Sequence, residues 1–159
     1  MSICCFPTYF HPEGAKHSLC ATRCSLTTAA GKSGAAATFS FTTSAGGALG
    51  SGSNITLTYP SGFFSSTGTP GVQVSGSGPP AGSAGTPSST QIIISIDGGS
   101  VAASSAVTVT VTGLTMGAAT AGSSTGVTVK TSVDQTESSG VSSGVIGGQV
   151  TSAAFSIAP

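Results

Sequence analysis

Charge is what this chain has least of. Of 159 residues, four are Lys or Arg and four are Asp or Glu, so charged residues make up 5% and the formal net charge is zero. A soluble domain ordinarily carries about 25%, and that charge keeps copies of it apart. Four scattered cations cannot neutralise a run of phosphates, which excludes nucleic acid as a partner. Tryptophan is absent and aromatics are only 6%, so Val, Ile, Leu and a few Phe must build the core. Long apolar runs are also missing. The longest aliphatic run is Ile92-Ile93-Ile94, far short of the ~20 residues of a membrane span. The start, Met1-Ser2-Ile3-Cys4-Cys5, lacks the basic-then-apolar pattern of a secretory leader. With so little charge, the surface is expected to be completed by sugars, by partner subunits, or by both.

Cysteine is confined to the first 24 residues: Cys4, Cys5, Cys20 and Cys24. An even, clustered set suggests disulfides and an oxidising compartment, with three pairings open. His11 and His17 lie between them, which raises a zinc site. The spacing fits no standard finger and adjacent Cys4-Cys5 is a poor ligand pair, so disulfides are favoured.

What the chain does have is Gly, Ser, Thr and β-branched residues. Abundant Gly raises disorder, but disordered chains combine high charge with few β-branched residues, the reverse of this composition. Period-2 alternation recurs instead. Val107, Val109 and Val111 share one face of a strand and Thr108, Thr110 and Thr112 the other, up to Gly113. Ile55-Thr56-Leu57-Thr58-Tyr59 alternates up to Pro60, as do Phe39 and Phe41 among Thr38, Ser40 and Thr42. Ile92, Ile94 and Ile96 align opposite Ile93, and Val127, Val129 and Thr131 align with Lys130 pointing away. Phe155 and Ile157 repeat the pattern. Weaker strands are expected at Val72 and Val74, and around Thr22 to Thr28 with Cys20, Cys24 and Leu26 on one face. No amphipathic helix is visible. These strands predict an all-β fold: one antiparallel β-sandwich of about seven or eight strands over residues 20–159, preceded by a Cys-containing extension over 1–19. Residues 75–89 are expected to be an exposed Gly/Pro/Ser loop.

Few motifs carry chemistry. Asn54-Ile55-Thr56 is the sole N-glycosylation sequon, and Asn54 is the only Asn. The clusters Gly78-Pro79-Pro80 and Thr86-Pro87-Ser88-Ser89-Thr90 have the composition of O-glycosylated segments, with a plain flexible loop as the alternative. Gly140-Val141-Ser142-Ser143-Gly144 fits a serine-nucleophile pattern, but that motif requires a strand-to-helix elbow with a His and an acid nearby, and both His lie in the Cys-rich extension. Gly31-Lys32-Ser33 resembles the end of a phosphate loop, yet the required earlier Gly is Leu26. Asp97 reads as a turn after the Ile strand. Asp134 and Glu137 could join it as calcium ligands, although a solvated turn is the simpler reading. Nothing in the chain calls for a cofactor or a metal.

The series Phe39-Ser40-Phe41-Thr42-Thr43, Ile55-Thr56-Leu57-Thr58-Tyr59-Pro60 with Phe63, Val109-Thr110-Val111-Thr112-Gly113-Leu114, Thr131-Ser132-Val133-Asp134 and Ser138-Ser139-Gly140 resembles an immunoglobulin-like β-sandwich unit found in tandem in secreted or cell-surface proteins of algae and other protists. The resemblance spans roughly residues 22–158, with one unit here rather than many. It implies an extracellular, non-enzymatic, glycosylated structural protein related to the protomers of glycan-coated filaments. A lone unit cannot gain length by covalent repetition, so a fibre would need copies of the chain to join head-to-tail. The extension is the expected joint, added as a strand or a disulfide-pinned plug, with Ile3, Phe6, Tyr9, Phe10 and Leu19 supplying apolar contacts. The rival expectation is a carbohydrate- or surface-binding module, which would need an exposed aromatic platform. An ice-binding Thr face is a further rival, weakened because the Thr alternation is regular on one strand only.

Overall fold

The computed structural model describes residues 20–26, 31, 33–66, 68–78 and 80–143, with the backbone alone for 20–26. Cys4, Cys5, Ile3, Phe6, Tyr9, Phe10, His11, His17, Leu19, Pro79, Phe155 and Ile157 lie outside them. The described residues form eight strands and no helix: β1 (Cys20–Leu26), β2 (Ala35–Thr42), β3 (Asn54–Thr58), β4 (Gly71–Ser75), β5 (Ala81–Ala84), β6 (Gln91–Gly98), β7 (Ala106–Leu114) and β8 (Thr128–Thr131). They make two four-stranded sheets, ordered β1-β2-β7-β4 and β5-β6-β3-β8, in which neighbouring strands run antiparallel. The expected antiparallel β-sandwich is the fold observed.

Alternation explains why the two layers close on each other. β7 buries Val107, Val109 and Val111 and turns Thr108, Thr110 and Thr112 outward. β2 does the same with Phe39 and Phe41. Facing them are Ile55 and Leu57 of β3, Ile92, Ile94 and Ile96 of β6, and Val129 of β8. Burying each such side chain contributes about 1.5–3 kcal/mol. This aliphatic core therefore compensates for the missing tryptophan.

Loop residues plug the two ends. At one end Leu49 and Val101, both 0% exposed, exchange backbone hydrogen bonds of 2.9 and 2.8 Å. At the other, Tyr59, Phe63, Phe64 and Met116 are buried, with Phe64 edge-on to Tyr59 at 4.8 Å and to Phe63 at 5.2 Å.

Two expectations are corrected. Residues 75–89 are not simply an exposed loop. β5 forms within them against the edge of β6, and Pro80, Ala84 and Pro87 are buried. β5 has no β-branched residue, so its sequence gives no strand signal. It exists because β6 has an edge to pair. Secondly, Cys20 and Cys24 do not keep simple alternation. A register shift between Ala21 and Arg23 sets Cys20 opposite Thr42 and Cys24 opposite Phe39, which lie on opposite faces of β2.

Candidate functional site

The described outer faces of the two sheets consist mainly of hydroxyls and amides. On β2 and β7, Thr38 meets Thr110 at 3.1 Å and Ser40 meets Thr108 at 2.9 Å, hydroxyl to hydroxyl. Such cross-strand pairs are the unit of sheet stabilisation, worth roughly 0.2–1 kcal/mol each. The Thr array thus spans two neighbouring strands, more than the alternation of β7 alone indicates.

The other sheet holds the sequon. Asn54 opens β3, and the pleat directs Asn54 and Thr56 outward while Ile55 is fully buried. Asn54 is held on both sides. The Ser95 hydroxyl on β6 donates to its Oδ1 at 3.0 Å. On the other side the Asn54 N–H donates to Ser132 Oγ at 3.1 Å, and the Ser132 N–H to the Asn54 carbonyl at 2.9 Å. Beside it lies a hollow of about 320 Å³ lined by Asn54, Thr56, Lys130, Thr131, Ser132 and Gln135. Opposite Thr56 stands Ile93, 49% exposed.

The sheet edges are the second feature. β4 and β5 end their respective sheets on the same side of the sandwich, and a cleft of about 570 Å³ runs between them, lined by residues 72–75 and 80–82. Neither strand contains a charge or a proline. The opposite edge of the second sheet is treated differently. The segment after β8 folds back along it, with Ser138 N–H to Val129 O at 2.8 Å and paired bonds between Val127 and Val141.

The O-glycosylation cluster is a clamped rim, in contrast to a flexible loop. Tyr59 N–H donates to Thr90 O at 2.8 Å and Gly62 N–H to Ser89 O at 3.1 Å. The Tyr59 hydroxyl lies 2.9 Å from the carbonyls of both Ser88 and Gln91, and burial pushes its pKa up to about 12. Ser88 Oγ donates to Gln91 O at 3.0 Å and accepts from Gln91 N–H at 2.9 Å, so it shapes the turn. Thr86 and Ser89 are exposed and Thr90 half-buried.

The described carboxylates, Asp97, Asp134 and Glu137, do not gather at one site. Asp97 is exposed on β6, where the strand runs through Gly98 and so overrides the expected turn at that residue. Glu137 is exposed and its Oε2 accepts from the Thr128 hydroxyl at 3.2 Å. Asp134 is the correction here: it is 1% exposed and not part of a solvated turn. Its carboxylate accepts from the Ser44 hydroxyl and, at 3.2 Å, from the Ser44 N–H. Its own N–H donates to Thr131 Oγ1 at 2.8 Å. Gly47 makes room for it, because a Cβ there would fall 2.1 Å from Asp134 Oδ2. Asp134 therefore ties the loop after β2 to the turn after β8. Sequence reading missed this because the partners are 90 residues apart. Among the described residues no three His, Cys, Asp or Glu gather as a metal site.

Ser142 is exposed, in the stretch that covers β8. Its neighbour Ser143 is buried, its hydroxyl 2.9 Å from the Ser123 N–H. Gly31 is a turn residue whose N–H donates to Gly117 O at 3.0 Å. The described Phe and Tyr side chains (Phe39, Phe41, Tyr59, Phe63 and Phe64) are all in the core, so the described surfaces offer no ring for sugar stacking. No protein-family model, no curated protein and no solved structure matches this chain.

Proposed function

We propose that this chain is a non-enzymatic extracellular structural protein that assembles head-to-tail into a glycosylated filament, with residues 1–19 joining one copy to the next. The observation that carries this reading is the unguarded edge. Natural sheets protect an open edge with Lys, Pro, bulges or a covering segment. β4 (Gly71–Ser75) has none of the first two, and the cleft beside β5 leaves its outer side accessible. An accessible strand edge is a template for β-addition by a second chain. Geometry gives the contact a direction. β1, which continues from the extension, and β4 are opposite edges of one sheet. A contact from the extension of one copy to the β4 edge of another is heterologous, and such contacts propagate as filaments when the rotation does not close. The near-absence of charge removes the repulsion that would oppose packing copies together.

Deleting residues 1–19 should abolish filaments seen by negative-stain electron microscopy while leaving a folded monomer. A double substitution Gln73→Lys with Ser75→Lys, which charges β4, should do the same. Filaments that persist in both variants would refute the reading.

A further inference from the structure

We propose that Asn54 carries an N-linked glycan whose first N-acetylhexosamine is seated in the hollow between β3 and the turn after β8, its edge reaching across Thr56 to the exposed side chain of Ile93. This rests on the extracellular reading, since attachment requires passage through a secretory compartment.

The geometry of the sequon supports it. In the folded protein Ser95 holds the Asn54 Oδ1 and not Nδ2, the atom that bears an N-glycan, so the contact is compatible with an attached sugar. The hollow adjoins that residue, and its lining has the right chemistry. Thr56, Thr131 and Ser132 offer hydroxyls, Gln135 an amide and Lys130 an ammonium. These donors and acceptors match the hydroxyls and acetamido group of a sugar. No carboxylate lines it, so nothing in the pocket would draw a cation in place of a sugar. At about 320 Å³ it sits at the small end of the ligand-site range, roughly 300–1,000 Å³, which accommodates one ring and not a chain. Ile93 faces Thr56 across the strand pair and is therefore diagonal to Asn54, within reach of a long group. It is one of two large apolar side chains exposed among the described residues, with Val133, and an apolar sugar face would cover it.

Attachment forms a bond between Asn54 Nδ2 and C1 of the sugar, breaks the bond from C1 to a lipid pyrophosphate, and releases one proton from Nδ2. A lipid-pyrophosphate oligosaccharide is the donor. Because Asn54 lies in a strand paired with both β6 and β8 or the turn beyond it, transfer has to precede completion of the sheet.

The test uses the full chain secreted, behind a cleavable leader, from a eukaryotic cell that glycosylates. Intact mass establishes occupancy. An endoglycosidase that leaves one N-acetylglucosamine then gives a one-sugar form, compared with Asn54→Gln from the same cells. The one-sugar form should melt about 2–4 °C higher and show slower amide exchange over residues 54–56 and 130–135. Gln135→Ala and Ile93→Ala should shrink that increment without lowering occupancy. Asn54 unmodified in the secreted protein, or a one-sugar form matching Asn54→Gln in both melting and exchange, overturns the proposal. Imaging the same preparations separates the two ideas. Filaments from a chain unmodified at Asn54 sink this proposal alone, and a seated sugar on a chain that never assembles sinks only the filament reading.

Discussion

Tyr59 offers a test in which stability changes sign with pH. Its ring is buried at the end of β3, and its hydroxyl proton is shared between the carbonyls of Ser88 and Gln91 at 2.9 Å each. Tyr59→Phe keeps the ring and removes that hydrogen bond. The net loss at neutral pH is about 1.5 kcal/mol, the upper part of the usual range, because the carbonyls left behind are partly buried. At high pH the wild type loses its advantage. Burial raises the phenol from 10.0 to about 12 in the folded protein, while the unfolded chain titrates near the ordinary value, about 10. A group raised by folding supplies its stability in full below the unfolded pKa and loses it as pH climbs through the folded one. By pH 11 the loss reaches about 1.4 kcal/mol, and the complete two-unit shift is worth at most about 2.7 kcal/mol. The phenylalanine variant has no such term. Wild type should therefore be more stable at pH 7, the two should cross near pH 11, and the variant should lead at pH 12. Denaturant unfolding at fixed pH from 7 to 12 gives both curves, and taking their difference cancels the titration of the lysines and Tyr9. A difference that stays constant from pH 9 to pH 12 would refute the burial argument.

Other consequences follow from single contacts. Asp134→Ala should cost about 2–3 kcal/mol, because it deletes the hydrogen bonds that Ser44 donates to a buried carboxylate. Asp97→Ala, on the surface, should stay within about 0.5 kcal/mol; equal effects in denaturant melts would contradict the assignment of Asp134 as a tie between loops. Gly117→Ala puts a Cβ 1.7 Å from the Gly62 carbonyl oxygen, so it should destabilise by at least about 1–3 kcal/mol, and a variant melting like wild type would show that this approach is not close. Phe41→Ala empties a site that is 1% exposed and should cost about 3–5 kcal/mol, read from the same unfolding midpoints.

How far the sequence disclosed this can be followed strand by strand. β2, β3, β6, β7 and β8 are legible because branched or aromatic residues recur at alternate positions, mostly with Thr or Ser between (Ile93 and Lys130 being exceptions), and burial follows that period. β5, built from Ala, Gly and Ser, was not legible, because its only reason to extend is a partner edge supplied by β6. The shift between Ala21 and Arg23 was invisible for a similar reason, since register belongs to a pair of strands and not to one. In the candidate site, Asn54 was found by its motif. Ser95, Lys130, Ser132 and Gln135, which surround it, were not, because they come from distant segments and each is an ordinary polar residue on its own. The burial of Asp134 was hidden likewise. Its sequence neighbours Val133 and Gln135 are both exposed, and the tertiary contact with Ser44 and Gly47 is what takes it out of water.

The strand order carries a kinetic consequence. Only the β1–β2 and β5–β6 connections stay within a sheet; every other one crosses to the opposite layer. β7 must find β2 and β4 across long stretches of chain before Val107, Val109 and Val111 are covered. Closing such loops comes ahead of the contacts that reward it, and folds of this kind take milliseconds to seconds. Throughout that interval Ala106–Leu114 is an uncharged, β-branched run without proline, the composition of an aggregation-prone segment. Its protection before folding is a matter of time and local concentration, because the chain has too few charges to act as gatekeepers. Expression yield should accordingly respond more to temperature and synthesis rate than to the stability of the finished sandwich.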